Sequence, residues 1–179
     1  MVSWLPEFFI QRVGFSEYRT ELALTIYKIG NLFGCIGFGL TARKETVLLQ
    51  SLVLLGIGTL GIVLLWVTLS WSFLWSVHLL AIAGFAIGGP IGALSASFPV
   101  SLGELDGRKS GGTLVGIING FGNIGELLEH TILSFVIETY GWNSMFILLI
   151  NLLVFSAFLV NRAHFATNKK LVNSRQYDI

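Results

Sequence analysis

From Thr46 to Gly103 the chain carries no Asp, Glu, Lys or Arg. One bilayer crossing takes roughly 20 residues, so this stretch crosses at least twice and turns once inside. The turn is expected at Leu69-Ser70-Trp71-Ser72, because Trp66, Trp71 and Trp75 flank it as an interfacial aromatic belt does. Two helices follow, at 46–68 and 72–102. The second is interrupted by Gly88-Gly89-Pro90, and the missing proline N–H predicts a kink or break there.

Composition extends the argument to the rest of the chain. Hydrophobic residues make up 54% before the 21 glycines are counted, and charged residues only 12%. A soluble domain carries about 25% charge. Three more apolar segments complete the set. Residues 17–40 are interrupted by Arg19, Glu21 and Lys28, residues 112–137 by Glu126, Glu129 and His130, and residues 144–160 by no charge. The fold class is therefore all-α, a polytopic membrane helix bundle of five spans within 17–162. Residues 1–16 precede it as an external loop and the end of an earlier span, and residues 163–179 form a tail. A net charge of +1 offers no basic face for nucleic acid, and a single cysteine, Cys35, allows no internal disulfide.

Orientation follows from the basic residues. Arg43 and Lys44, then Arg108 and Lys109, then Arg162, Lys169, Lys170 and Arg175 fall on one side of a five-span path. They are eight of the eleven Lys and Arg residues. The rule that basic loops stay inside puts the C-terminus in the cytoplasm. The tail reads as a positive-inside anchor, or as a contact for a partner or anionic lipid.

Within the spans, glycines recur at helical spacing: Gly30 and Gly34; Gly84, Gly88 and Gly92; Gly112, Gly116 and Gly120. Each row lies on one helix face and permits close backbone approach, either inside this bundle or between two copies. The polar residues are rarer. Asn119, Asn123, Glu126 and His130 follow at steps of four, three and four, which aligns them on one stripe, with Glu129 off to its side. Glu21, Thr25, Lys28 and Asn31 form a second stripe. Charge facing lipid is costly, so both stripes should face protein or a water-filled cavity. Two readings stand for each. Glu126 and His130 form a structural pair or hold protons. Lys28 pairs with Glu21 or Glu126, or attracts an anionic substrate. His78 reads as an interfacial or packed histidine.

No chemistry of catalysis is legible. The chain has no phosphate loop, no metal-ligand cluster and no nucleophile motif. A non-enzyme without metal or cofactor is expected.

The ordered elements Gly89-Pro90, Gly103-Glu104-Leu105 with Arg108-Lys109, Gly112-Thr113 with Gly116, Phe121-Gly122 with Gly125, and Gly141-Trp142 with Phe146 carry a resemblance. Upstream, Trp4, Pro6 and the Gly34–Gly39 stretch extend it. The chain resembles the C-terminal half of a major facilitator superfamily transporter, more narrowly of the organophosphate:phosphate antiporters that include glycerol-3-phosphate and hexose-phosphate carriers. The resemblance implies that the five spans are helices eight to twelve of twelve, that residues 1–10 end helix seven, and that the chain is a fragment. It implies secondary transport of an anionic, phosphorylated metabolite by alternating access, exchanged for phosphate or coupled to protons, in a bacterial inner membrane. The partners implied are membrane lipid and a missing N-terminal half. In that family an arginine on helix one and one on helix seven bind the phosphate, and neither position lies in this chain. Other relatives sense sugar phosphate as receptors, and a truncated half without activity is a third possibility. Substrate and cavity candidates are Lys28, Asn119, Asn123, Glu126 and His130, with Glu21 and Asn31 secondary. Several departures are plain. Gly39-Leu40-Thr41-Ala42-Arg43-Lys44 lacks the family's Asp. Asn123 stands where relatives hold a cavity tyrosine, and Lys28 where they often carry a carboxylate. Glu126 and His130 are not motif residues of the family.

Overall fold

The computed structural model describes residues 4–43, 46–68, 72–103 and 110–177, with side chains through residue 166. All regular structure among the described residues is helical. Helix α1, Leu5–Phe8, runs into a π-turn at Phe9–Val13 and ends at Gly14, whose φ of 75° is left-handed. Helix α2 spans Glu17–Thr41, α3 Val47–Val67, α4 Phe73–Gly103, α5 Gly111–Tyr140 and α6 Trp142–Tyr177. Two starts are capped by serine. The Ser16 hydroxyl oxygen accepts the Arg19 N–H at 3.4 Å, and that of Ser72 accepts the Trp75 N–H at 3.2 Å. Gly141, with a φ of 79°, separates α5 from α6.

Four helices are long and apolar enough to cross a membrane: α2, α3, α4 and the Trp142–Ala166 part of α6. The chain is a multi-pass membrane protein. Helix α5, expected as a fifth span, is not among the four. Its 30 residues provide the length, but its glycines, two asparagines, Glu126, Glu129 and His130 dilute the apolar run. The last helix is longer than the expected 144–160 and takes in the tail. The expected turn at Leu69–Trp71, the loop residues Lys44, Arg108 and Lys109, the motif residues Glu104 and Leu105, and the side chains of Lys169, Lys170 and Arg175 lie outside the described residues.

The tightest crossing is α2 on α4, and glycine makes it possible. A Cβ on Gly30 would overlap the Ala81 carbonyl oxygen, and one on Gly34 that of Phe85. From the other side, a Cβ on Gly84 would overlap the Tyr27 carbonyl oxygen, and one on Gly88 that of Asn31. Lipid gives helices no hydrophobic reason to associate, so close van der Waals packing must supply it. These two rows thus meet each other inside the chain. The row Gly112, Gly116 and Gly120 on α5 has nothing within 4 Å of its Cβ positions.

Aromatic side chains hold one end together. The Phe8 and Phe146 rings meet edge to face at 5.0 Å, and Trp66 stacks on Phe146 at 6.0 Å. The Trp75 Nε1–H donates to the Thr68 hydroxyl at 2.9 Å, tying the end of α3 to the start of α4.

The expected interruption of α4 is present in a displaced form. Pro90 sits within the helix, and the backbone changes to π geometry three residues later, at Ala93–Ser97. The Ala93 N–H bonds the carbonyls of both Gly89 and Pro90. Side-chain hydroxyls satisfy carbonyls along the distorted turns, Ser95 donating to Ile91 O at 2.6 Å and Ser97 to Ala93 O at 3.2 Å.

Candidate functional site

Helix α5 presents its polar stripe largely away from the bundle, because Gly111 and Leu133 are its only buried residues. Two members still border a shared space. Asn119 and Asn123 line an open groove of about 710 Å³ together with Pro90 and Ser95 of α4 and Ser156 of α6. The groove is mainly apolar, with the two amides and two serine hydroxyls as its polar points. Such a lining suits a ligand that needs a few directed hydrogen bonds in an otherwise dry wall.

The remaining members go elsewhere. Glu126 is exposed. His130 lies against Trp4, with ring centroids 5.5 Å apart and planes inclined at 48°. On α2, Glu21, Thr25 and Lys28 are exposed and Asn31 is half-buried against the α4 glycines. The Thr25 hydroxyl donates to the Glu21 carbonyl at 2.8 Å. Among the described residues, Lys28 makes no ion pair with Glu21 or Glu126, and Glu126 makes none with His130. The structure therefore brings Asn119 and Asn123 together. It does not gather Lys28, Glu126 and His130 into the same groove.

Two residues outside the expected set come forward. Glu129, to the side of the stripe, is half-buried, and it lies close enough to the buried Tyr27 of α2 to interact electrostatically. Tyr27 also lines a small apolar cavity of about 40 Å³ with Trp4, Leu80, Leu133, Met145 and Phe146. The signal for Tyr27 was present in the sequence: Thr20, Ala23, Leu24 and Tyr27 recur at three- and four-residue steps, and all four are buried. For Glu129 no periodic signal existed, because it stands off the stripe that Asn119, Asn123, Glu126 and His130 define.

Comparison with known proteins places this geometry in context. The chain is 28% identical over 170 residues to the candidate glycerol-3-phosphate transporter 5 of Arabidopsis thaliana, covering 89% of the chain and 34% of that protein. It is 27% identical over 150 residues to sugar phosphate exchanger 3 of Gallus gallus, covering 80% of the chain and 29% of that protein. It is 24% identical over 156 residues to the glycerol-3-phosphate transporter of Bacillus subtilis, covering 84% and 34% respectively. The chain thus spans about a third of the length of the relatives it matches. These relatives are named as transporters and exchangers, not as enzymes, and the resemblance read from the motifs is the similarity that the comparison finds. No protein-family model matches the chain. No solved structure matches it.

Proposed function

We propose that this chain forms part of a secondary transporter of the major facilitator type, carrying a small phosphorylated metabolite across a membrane. The observation behind the proposal is similarity over 80–89% of the chain to proteins named for glycerol-3-phosphate transport and sugar phosphate exchange. The chain supplies helices of the second half, and the first half supplies the other wall of the cavity. Transport proceeds by alternating access, in exchange for phosphate or coupled to protons.

The residues take distinct parts. Asn119 and Asn123 offer amide donors and acceptors to substrate hydroxyls or phosphate oxygens. Lys28 is a cation at membrane depth without a carboxylate partner among the described residues. It draws an anion by Coulomb attraction that the low-dielectric surroundings strengthen. Glu126 and His130, with Glu21 and Asn31 in secondary parts, provide the ionisable and polar groups of the pathway, as intramembrane ionisable residues do. Helix α5 then crosses the membrane as a fifth span, because its polar stripe faces the cavity and not lipid. The distribution of basic residues puts the C-terminus in the cytoplasm. The relatives come from a plant, a bird and a bacterium, so the host membrane is a bacterial inner membrane or its eukaryotic counterpart.

The test is counterflow. The full-length protein is reconstituted into liposomes loaded with phosphate, and uptake of labelled glycerol-3-phosphate and glucose-6-phosphate is followed. Saturable uptake that depends on internal phosphate or on a proton gradient supports the proposal. Binding of sugar phosphate without any flux points to a receptor, and absence of both contradicts the proposal.

A further inference from the structure

A cavity of about 470 Å³ opens between the tail of α1, the end of α3 and the first turns of α4 and α6. Phe8, Trp66 and Phe73 form aromatic walls, and the polar groups are Arg12, Ser72 and Asn143. No Asp or Glu is among the described lining residues.

The polar groups present donors. The Trp66 Nε1–H donates to Asn143 Oδ1 at 3.4 Å. An indole nitrogen can only donate, so the contact fixes the amide's orientation and leaves the two Nδ2 hydrogens for a ligand. The Ser72 oxygen already accepts the Trp75 N–H, and its own hydroxyl hydrogen remains to be given. Arg12 makes no ion pair among the described residues and keeps its whole guanidinium fork. A second cation stands beside the wall, with the Arg19 guanidinium carbon 5.7 Å from the Phe73 ring centroid. Positive charge, directed neutral donors, no carboxylate and aromatic walls that weaken screening together select an oxyanion.

We propose that this cavity is an oxyanion-binding site for a phosphate group, separate from the groove of Asn119 and Asn123. Arg12 supplies the charge and a bidentate fork, and Asn143 Nδ2 and the Ser72 hydroxyl supply the flanking hydrogen bonds. Two sources offer this group at a membrane surface: the headgroup of an anionic phospholipid, and free phosphate.

Two binding measurements on the full-length protein separate them, and neither requires transport. In nanodiscs containing phosphatidylglycerol, native mass spectrometry counts the lipid retained by the wild type and by Arg12→Gln. In nanodiscs of phosphatidylcholine alone, binding of radiolabelled inorganic phosphate is compared for the same pair. The expected result is a saturable component in one arm that Arg12→Gln weakens about tenfold and Arg12→Lys weakens less, because lysine keeps charge but not the fork. Asn143→Ala, which removes one neutral donor, weakens it by a smaller factor. Retention in the lipid arm identifies a headgroup site, and binding in the phosphate arm a soluble-anion site. No saturable signal in either arm, or signal in one or both arms none of which Arg12→Gln weakens, overturns the proposal. Arg12 is exposed and makes no ion pair among the described residues, so its replacement does not test folding instead.

Discussion

Gly34 and Gly116 are the same residue type at the same helical repeat, yet their surroundings are opposite. A methyl group at Gly34 meets the backbone of Phe85, which cannot move aside without separating α2 from α4. A methyl at Gly116 meets nothing within 4 Å. Gly34→Val is therefore expected to destabilise the bundle by about 2 kcal/mol or more, as overpacking of a tight contact does. Gly116→Val leaves stability within about 0.5 kcal/mol, as changes away from such contacts usually do. Thermal unfolding of the two variants in the same detergent checks the contrast, and equal melting shifts would remove the crossing. At the groove, Asn119→Leu with Asn123→Leu removes its two amides while filling similar volume. Substrate affinity should fall about tenfold or more, since a site missing a directed polar partner discriminates strongly, with protein yield unchanged. The glycine rows were legible as rows because spacing alone defines a helix face. Which row found a partner was not legible, since that depends on which helices cross.

At the scale of the element, α4 and α5 each departed from a simple reading. Pro90 forecast a disturbance and the disturbance is there, but three residues further on. The ring removes a donor at its own position, and the helix absorbs the misfit by widening to π geometry downstream. Replacing Pro90 by Ala should let Ala93–Ser97 return to ordinary helical bonding. Amide exchange over residues 93–98, followed by mass spectrometry, is expected to slow in that variant. Unchanged exchange would mean that Ser95 and Ser97 hold the wide turn without the proline. Helix α5 was expected as a span on length and a mostly apolar face. The same asparagines and carboxylates to which the proposed function gives a part lower its apolar content, so composition and proposed function pull its assignment in opposite directions. Its existence as one long helix was legible. The half-burial of Glu129 near Tyr27 was not, because Glu129 stands off the polar stripe and which flank of a helix is covered depends on its tertiary neighbours.

For the whole molecule, the charge-free stretch from Thr46 to Gly103 was enough to predict two crossings, and α3 and α4 occupy it. Loop cations predict the sidedness. In a Cys35→Ser background, a cysteine at Ser72 should react with a membrane-impermeant maleimide added outside intact cells, and one at Ser174 only after permeabilisation. The opposite pattern would invert the topology. The polar residues that the chain leaves exposed, Lys28 on α2 and Glu126 on α5, are the groups that the proposed first half is expected to cover or to surround with water. Lys28→Gln in the full-length protein should therefore raise the substrate concentration needed for half-maximal uptake while sparing assembly. The central claim is transport of a phosphorylated metabolite, and the most direct measurement is counterflow of labelled glycerol-3-phosphate by the full-length protein in phosphate-loaded liposomes. Saturable uptake that Lys28→Gln weakens is the predicted result. Uptake no faster than in protein-free liposomes, with glucose-6-phosphate equally excluded, would contradict it.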